Sequence, residues 1–545
     1  MRYPPVHEAT GTRGVVAAKH GLAAEAGLEM LRRGGNAVDA AVAAAFASGV
    51  VEPWMSGIGG GGYMVIRRGD TGEAVVVDYS LRAPLAARED MFEIVPGRSS
   101  GLFPWPLVRD DANHQGWLSV AVPGTVAGLA LALERFGRLD LATVMEPAIR
   151  LAAEGFPVTW YATLRIAVEA PLLARYPETA RIFLPGGLPA RPAAGEDLPP
   201  ERIVQPDLAE TLRRIARGGA DEFYRGETAR RIAAAMKAAG GLITEEDLAR
   251  YRAEVVPALV TPYRGWQVAT PPGPAGGVSL AQMLRILEGT DLTALGHNSV
   301  LYLHRVATAM RLAFEDRYAR LADGADWEAL LSGDHVATLQ ARLEAGRAPA
   351  AGAPGEPGGT STTHLAAADA QGNVVSCTQT LLSLFGSRVT VPGTGILLNN
   401  GMFWFDPEPG KPNSPGPGKR PLSNMAPLVA VGPGGWPRVG LGSSGGRRIL
   451  GANLQILLAI VDGGLGLGAA IGAPRIDIST GRLLADRRLG DRTLAALAAL
   501  GHDVVPVSEA PYPQHFASPA GVMATEAGLL VGAVDPIMPA EALAF

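Results

Sequence analysis

The stretch GRAPAAGAPGEPGG, from Gly346 to Gly359, constrains the fold of this chain more than any other feature of its sequence. It has no hydrophobic periodicity and no bulky apolar residue, so we expect it to be exposed and flexible. Helical hydrophobic patterns dominate the chain before this stretch, and strand patterns dominate after it. The stretch therefore predicts a boundary between two parts of different character.

The elements on either side of this boundary predict a layered α/β architecture. Two Ala-rich helices are expected in AAKHGLAAEAGLEMLRR and NAVDAAVAAAFASGVV, and two long helices over 278–288 and 299–322. After the boundary, THLAAAD and VVSCTQTL are joined by AQGN, a typical hairpin turn. Further strands are expected in GILLNN, PLVAV and PRVGLG, and a helix over 449–460. Strands between two sets of helices are typical of a layered fold.

Composition argues against several classes of protein. Of the 545 residues, 47% are hydrophobic, which is enough for a large core. A net charge of −5 without a Lys/Arg-rich run argues against a nucleic-acid partner. No apolar run reaches the roughly 20 residues of a membrane span, and the N-terminus has no apolar signal segment, so a soluble, cytoplasmic protein is expected. With Cys377 as the single cysteine and scattered histidines, we expect no disulfide, no metal site and no cofactor.

Two glycine-rich motifs suggest other chemistries. Gly57, Gly59 and Gly62 have the spacing of a dinucleotide fingerprint, but a helix precedes them and a strand follows, which argues against that function. GSSGG matches the G-x-S-x-G pattern of serine hydrolases, with Ser444 as nucleophile between a strand and a helix. The residues that could complete a triad are His502, His515, Asp477, Asp486 and Asp491. Alternatively, the Gly445 and Gly446 N–H groups at the helix start can form an oxyanion hole.

Four hydroxyl residues, Thr360 to Thr363, follow the Gly/Pro/Ala stretch. If the backbone were cut before Thr362, a free α-amine and a hydroxyl would lie on the same residue. The reference pKa of such an amine is about 7.7–8.0, so it could accept the hydroxyl proton and make a nucleophile without a His or Asp partner. The local sequence alone favours a simpler interpretation, in which a polar loop merely leads into a strand.

Motifs along almost the whole chain resemble the gamma-glutamyltransferase family of N-terminal nucleophile (Ntn) hydrolases. They occur in the family's order: GGNAVDAAVAAAF, SGIGGGGYMV, VPGTVAGL, GLITEEDLARYRAEVV, LYLHRVATAMRLAFEDRYA, TTHLAAADAQGNVVSCTQTL, GTGILLNNGM, KRPLSNMAP and GSSGGRRI. The resemblance implies a four-layer αββα sandwich formed by two fragments of one self-cleaved chain.

The same resemblance implies where the chain is cut and which residues react. Cleavage between Ser361 and Thr362 would give a large fragment 1–361, ending in the flexible segment 346–361, and a small fragment 362–545. The fragments are expected to stay associated. Thr362 would be the nucleophile, Thr380 would support it, and Gly445 and Gly446 would form the oxyanion hole. The segment 405–418 would lie where the family often has a lid.

The residues that hold a glutamyl group in the family are changed in this chain. The arginine that binds the glutamyl carboxylate aligns with Ser80, two residues before Arg82, and the family's serine pair is Ser423 and Asn424. The three polar positions that hold the α-amine correspond to Leu382, Gly401 and Trp404. Arg82 and Arg447 could still bind a carboxylate, and Arg447 could equally be a surface residue at a helix start.

This pocket predicts an amide substrate whose acyl group is not glutamyl, such as an oxamate-like or glutaryl-like amide, with water or an amine as acceptor. Three alternatives remain at this stage: a true gamma-glutamyltransferase or glutathione hydrolase, a Ser444 serine hydrolase, and a non-catalytic homologue.

Overall fold

The structure is a computed structural model that describes residues 5–98, 103, 105–195, 197–346, 361–510 and 514–545. Most of the segment 346–361, predicted to be flexible, lies outside the described residues, which include only its two ends, Gly346 and Ser361.

Two seven-stranded antiparallel sheets form the centre of the molecule. The strands of the described chain are β1 (His7–Gly11), β2 (Gly14–Ala18), β3 (Gly61–Arg67), β4 (Ala74–Tyr79), β5 (Ile94–Arg98), β6 (Pro106–Val108), β7 (Phe156–Pro157), β8 (Arg202–Ile203), β9 (Glu254–Pro257), β10 (Leu259–Tyr263), β11 (Trp266–Thr270), β12 (Thr363–Asp369), β13 (Val374–Thr380), β14 (Thr390–Val391), β15 (Ile396–Leu397), β16 (Leu428–Val431), β17 (Arg438–Ser444), β18 (Ile476–Asp477), β19 (Leu483–Asp486), β20 (Val504–Val507), β21 (Ser518–Ala524), β22 (Leu530–Val534) and β23 (Glu541–Ala544). One sheet, the β12 sheet, has the order β23-β2-β12-β13-β3-β4-β9. The other, the β17 sheet, has the order β1-β22-β21-β17-β16-β11-β10.

Helices pack on the outer faces of both sheets, on the smaller sheets and on one another. They are α1 (Gly21–Arg32), α2 (Ala37–Val51), α3 (Thr125–Phe136), α4 (Leu141–Glu154), α5 (Trp160–Leu173), α6 (Pro177–Phe183), α7 (Pro206–Gly218), α8 (Ala220–Arg225), α9 (Glu227–Ala239), α10 (Glu245–Arg250), α11 (Gly276–Leu287), α12 (Leu292–Leu295), α13 (Val300–Arg320), α14 (Gly333–Glu344), α15 (Arg448–Val461), α16 (Leu467–Gly472) and α17 (Asp491–Ala499). Helix α2 packs on β12 and β13, whereas α11 and α15 pack on the β17 sheet. The predicted layered α/β fold is therefore confirmed, as a four-layer αββα sandwich.

The inner faces of the two sheets meet at closely packed small residues. A Cβ atom on Gly442 of β17 would lie 2.3 Å from the ring of His364 on β12, so glycine is required at this contact. Beside it, the Ser376 hydroxyl of β13 donates to the Leu441 carbonyl at 2.9 Å. These contacts fix β17 directly above the hairpin of β12 and β13.

Each sheet contains strands from both sides of residue 361. The β12 sheet takes β2, β3, β4 and β9 from before that point, and the β17 sheet takes β1, β10 and β11. A backbone cut between 361 and 362 would thus leave two interleaved pieces whose shared core is buried.

Most of the predicted elements are confirmed. The AQGN turn joins β12 to β13 with Thr363 opposite Gln379. Helix α2 begins with a capping box between Asn36 and Asp39. The segment GILLNN is strand only over Ile396–Leu397, where it forms a two-residue pair with β14 rather than joining a main sheet. No described helix has the length and apolarity to cross a membrane.

Candidate active site

Two threonine hydroxyls meet where β12 begins and β13 ends. The register that pairs Thr363 with Gln379 sets Thr362 opposite Thr380, and the Thr362 hydroxyl donates to the Thr380 hydroxyl oxygen at 3.2 Å. The Leu382 N–H donates to the same Thr380 oxygen at 2.7 Å. Thr362 and Thr380 are 2% and 1% exposed. The structure thus brings together the predicted nucleophile and its predicted supporting threonine in a buried site.

The residues on either side of Thr362 face the opposite way, as the alternation of a strand requires. The Ser361 hydroxyl donates to the carbonyls of Trp54 and Met55, and the Thr363 hydroxyl donates to a carboxylate oxygen of Glu52 at 3.0 Å. These three acceptors follow the end of α2, on the outer face of the β12 sheet. The Thr362 side chain therefore shares the inner face with His364.

Gly445 and Gly446 follow the end of β17. Because Gly442 packs on His364, the residues just beyond Ser444 lie at the Thr362 end of the hairpin. Gly445 and Gly446 have φ values of 146° and 61°, which favour glycine. Among the described residues, neither backbone N–H has an acceptor. Two buried, adjacent donors without an acceptor, at the same end of the hairpin as the predicted nucleophile, suit the predicted oxyanion hole.

Three buried residues occupy the positions predicted to have lost the polar groups that hold an α-amine: Leu382, Gly401 and Trp404. Leu382 and Trp404 are 1% and 3% exposed. A Cβ atom on Gly401 would lie 2.6 Å from a methyl group of Leu81 and 2.7 Å from the Ala121 Cβ, so this position excludes any side chain. The indole N–H of Trp404 is a buried donor that lacks a partner among the described residues. The region suits an apolar acyl group with at most a few polar atoms.

Ser423 and Asn424 are connected to a buried arginine that sequence reasoning missed. Arg317 of α13 donates to the Ser423 carbonyl at 2.6 Å and to the Asn424 side-chain oxygen at 3.0 Å. Burial lowers the pKa of Arg317 to about 10. Arg317 lies on the same face of α13 as Met310 and Phe314, because their separations match the helical repeat. A charged residue on this apolar face is the sequence signal that could have identified it. The amide nitrogen of Asn424 has no partner among the described residues.

The two arginines predicted to bind a carboxylate lie in different surroundings. Arg82 is partly exposed and lies 3.9 Å from Glu254 in a surface groove. Arg447 is only 6% exposed and forms no hydrogen bond or ion pair with any residue that the structure describes. The alternative of a surface arginine at a helix start is therefore wrong for Arg447, whose positive charge opposes the rise that burial causes in the pKa of Asp477.

The segment 405–418, predicted to form a lid, is attached to the residues that follow β4. The Gly418 N–H donates to the Ala83 carbonyl, and the Gly410 N–H donates to the Glu89 carboxylate. Within the segment, the Ser414 hydroxyl donates to the Glu408 carbonyl at 2.6 Å. It is thus an internally hydrogen-bonded segment.

The structure does not connect the residues of a Ser444 triad. The Ser444 hydroxyl donates to the Ser518 carbonyl at 3.4 Å, and His502 shares a hydrogen bond with His304. Asp477 is bound by Ser479 and Asp486 by Arg488, while neither His515 nor Asp491 contacts Ser444 through a hydrogen bond in the described chain. No group of three or more described His, Cys, Asp or Glu side chains could hold a metal ion.

Comparison with protein families gives one match over nearly the whole chain. The family model described as Gamma-glutamyltranspeptidase matches residues 23–545. Among curated relatives, the Acylase ACY 1 proenzyme of Pseudomonas sp. (strain V22) is 42% identical over 503 residues, covering 91% of this chain and 88% of the relative. The Glutathione hydrolase proenzyme of Escherichia coli (strain K12) is 34% identical over 555 residues, covering 97% and 91%.

Comparison with solved structures finds family members that share this fold. The cephalosporin acylase from Bacillus halodurans superimposes with a TM-score of 0.86 at 28% identity, covering 100% of this chain and 98% of the acylase chain. The Helicobacter pylori gamma-glutamyltranspeptidase superimposes with a TM-score of 0.53 at 34% identity, covering 59% of this chain and 90% of that one.

Proposed function

Because the chain belongs to the gamma-glutamyltranspeptidase family of Ntn hydrolases and acyltransferases, we propose that it is a proenzyme that cuts itself between Ser361 and Thr362 and then cleaves an amide through Thr362. The observation that carries this proposal is the buried hydrogen bond between the Thr362 and Thr380 hydroxyls at 3.2 Å. We further propose that the products 1–361 and 362–545 remain associated, since both contribute strands to each sheet.

The proposed self-cleavage uses the groups at this junction, the Thr380 hydroxyl and one water molecule. The Thr362 hydroxyl attacks the Ser361 carbonyl carbon, the peptide C–N bond breaks as a Ser361–Thr362 ester forms, and the hydroxyl proton passes to the nitrogen. Water then hydrolyses the ester, which leaves a Ser361 carboxylate and a free Thr362 α-amine. Thr380 orients the attacking oxygen through its hydrogen bond.

The same hydroxyl then attacks the substrate amide. The α-amine accepts the hydroxyl proton and returns it to the leaving amine, and an acyl ester forms on Thr362. The Gly445 and Gly446 N–H groups stabilise the oxyanion, which is consistent with their lack of an acceptor among the described residues. Water or an acceptor amine releases the acyl group.

The acyl group of the substrate is proposed to lack a glutamyl α-amine. Leu382, Gly401 and Trp404 offer no carboxylate or amide acceptor for an ammonium group, and burying an ammonium without partners costs several kcal/mol. Arg447 has no carboxylate within ion-pair distance among the described residues, although the buried Asp477 attracts it, and it supports an acyl group with its own carboxylate, as in a glutaryl-like or oxamate-like amide. The printed names of the acylase relatives are consistent with this class.

A panel of amides tests the proposal: oxamate, a glutaryl amide, glutathione and an N-acyl amino acid, each with wild-type protein, Thr362→Ala and Ser444→Ala. We expect hydrolysis of oxamate or the glutaryl amide to exceed that of glutathione, to vanish in Thr362→Ala and to persist in Ser444→Ala. Activity that survives Thr362→Ala but not Ser444→Ala would favour the serine hydrolase instead.

The main rival is a glutathione hydrolase, which the 34% identical Escherichia coli relative favours. Equal or better turnover of glutathione in the panel would support it and would contradict the proposed effect of Leu382, Gly401 and Trp404. A protein that cleaves itself and turns over none of the amides would favour the non-catalytic homologue. A cytoplasmic location remains a prediction, which cell fractionation tests.

A further inference from the structure

The four residues after α2, Glu52–Met55, form a turn that we call the α2 end-turn. The Glu52 N–H still donates to the Ser48 carbonyl of the helix at 2.8 Å, and the Met55 N–H donates back to the Glu52 carbonyl at 2.8 Å. Its four residues are buried, with Glu52 and Trp54 1% and 0% exposed. The turn is thus a rigid continuation of a helix that packs on the β12–β13 hairpin.

This turn binds both neighbours of Thr362. On the side before the proposed cut, the Ser361 hydroxyl lies 2.7 Å from the Trp54 carbonyl oxygen and 3.0 Å from the Met55 carbonyl oxygen. On the side after it, the Thr363 hydroxyl lies 3.0 Å from a Glu52 carboxylate oxygen. Because side chains alternate along a strand, holding the two neighbours on one face fixes the Thr362 side chain on the other.

The same turn also holds the strand that carries Thr380. The Leu381 N–H donates to the Met55 carbonyl at 3.0 Å, and the Phe385 N–H donates to the Trp54 carbonyl at 3.1 Å. The Met55 carbonyl therefore accepts from the residue before Thr362 and from the residue after Thr380. One backbone group thus sets the positions of the two hydroxyl-bearing strand ends relative to each other.

The Glu52 carboxyl is buried and is attracted by one buried cation, Lys19. Burial raises its pKa, while the Thr363 hydrogen bond and the positive charge of Lys19 oppose that rise. Lys19, whose pKa burial lowers, contacts the Ser518 hydroxyl and is attracted by Glu52 and Asp535. The Thr363 hydroxyl orients the Glu52 carboxyl through a hydrogen bond of 3.0 Å, and Lys19 attracts it without a direct ion pair in the described chain.

We propose that the α2 end-turn positions the scissile bond and the nucleophile, with Glu52 and the Trp54 and Met55 carbonyls aligning Thr362 against Thr380. This inference rests on the proposed function. Glu52 acts through Thr363 and is a positioning residue. It does not touch the reacting atoms.

The turn has a second role once the bond is cut. When Ser361 leaves, the carbonyl oxygens of Trp54 and Met55 lose a hydroxyl donor next to the new N-terminus. Each carbonyl keeps a backbone donor, the Phe385 N–H for Trp54 and the Leu381 N–H for Met55, and each has a second lone pair that can accept from the Thr362 α-amine. The two carbonyls then orient the amine that serves as the base.

The first test removes only the hydroxyl on the leaving side. We expect Ser361→Ala to cleave at least about tenfold more slowly than wild-type, because misplacement by about 1 Å can cost about 100-fold in rate. Ser361→Thr, which keeps the hydroxyl, should cleave faster than Ser361→Ala.

The matched control is Thr211→Val, which loses a buried hydroxyl-to-carbonyl hydrogen bond of 2.8 Å from α7 to Thr394. It should cleave at the wild-type rate. Cleavage of Ser361→Ala at the wild-type rate would overturn the inference while leaving the proposed function intact. A wild-type chain that never cleaves would instead refute the proposed function.

The second test is a double-mutant cycle on the Glu52–Thr363 pair. Glu52→Ala and Thr363→Val should each lower kcat of the matured enzyme by about tenfold with little change in KM. The double variant should have about the same kcat as the less active of the two single variants. Glu52→Gln, which keeps an acceptor oxygen, should restore part of the rate. A double variant whose loss of kcat is the product of the two single losses would contradict a positioning role. Losses of kcat that merely follow the fall in melting temperature would contradict it too.

Discussion

The hydroxyl oxygens of Thr362 and Thr380 lie 3.2 Å apart across the first pair of positions of the β12–β13 hairpin. The Leu382 N–H donates to the same Thr380 oxygen from the other side. Leu382 reaches it because its backbone has a φ of 94°, a conformation that leucine rarely adopts. Two donors thus hold the Thr380 hydroxyl in place, and it in turn fixes the direction of the Thr362 hydroxyl.

Removing the Thr380 hydroxyl should impair catalysis more than stability. We expect Thr380→Ala to lower kcat by about 10–100-fold, because the Thr362 hydroxyl loses its orienting partner, and Thr380→Ser to stay within a few-fold of wild-type. The measurement is steady-state hydrolysis of the best amide from the panel, alongside thermal unfolding. Equal activity of Thr380→Ala and wild-type would contradict the role given to this hydroxyl.

A methyl group on Gly445 should displace the proposed oxyanion donors. Its Cβ would lie 2.7 Å from the Ala517 Cα, so the backbone must move. Gly445→Ala should lower kcat by about 100–1,000-fold, the usual loss for an oxyanion-hole donor. Gly434→Ala is the control, since Gly434 also has a positive φ of 73° but open space around it. Similar losses in both variants would indicate backbone strain rather than loss of the donors.

Two variants that place a polar side chain in the pocket should differ in stability. Leu382→Asn should fold well, because asparagine accepts a positive φ. Gly401→Gln should lower the free energy of unfolding by about 1–3 kcal/mol, because its side chain would overlap Leu81 and Ala121. Thermal unfolding and hydrolysis of γ-glutamyl-p-nitroanilide check both variants. A Gly401→Gln protein as stable as wild-type would contradict the packing described for this position.

Much of the fold could be predicted from the sequence, because the Ala-rich helices, the hairpin and its turn have strong local patterns. Thr362 and Thr380 could be paired in advance because their separation follows from the hairpin register. The roles of Glu52, Lys19 and Arg317 could not, since each depends on contacts between residues distant in sequence, such as Glu52 with Thr363. The short extent of β15 was also missed, because local propensity does not reveal which strand lies beside it.

Lowering the pH should destabilise the protein through its buried histidines. Burial lowers the pKa of His364 to about 3, with help from the charge of Lys19, and lowers that of His20 to about 4. Below the ordinary value of 6.5, the unfolded chain therefore binds protons that the folded chain does not, so the free energy of unfolding falls as pH drops from 6.5.

For His364 alone this effect is about 2 kcal/mol between pH 6.5 and pH 5. Urea unfolding at pH 7 and pH 5 should show a smaller fall for His364→Asn, which keeps a hydrogen-bonding group beside Thr378. An identical fall in wild-type and variant would show that His364 is already protonated in the folded protein at pH 5.

Intact-mass measurement of the purified chain, with N-terminal sequencing of any fragments, tests the central claim most directly. The account predicts two fragments, 1–361 and 362–545, with Thr362 as the new N-terminus, and a single uncut chain for Thr362→Ala. A wild-type protein that remains one full-length chain after prolonged incubation, or a Thr362→Ala chain cut at the same bond, would contradict it.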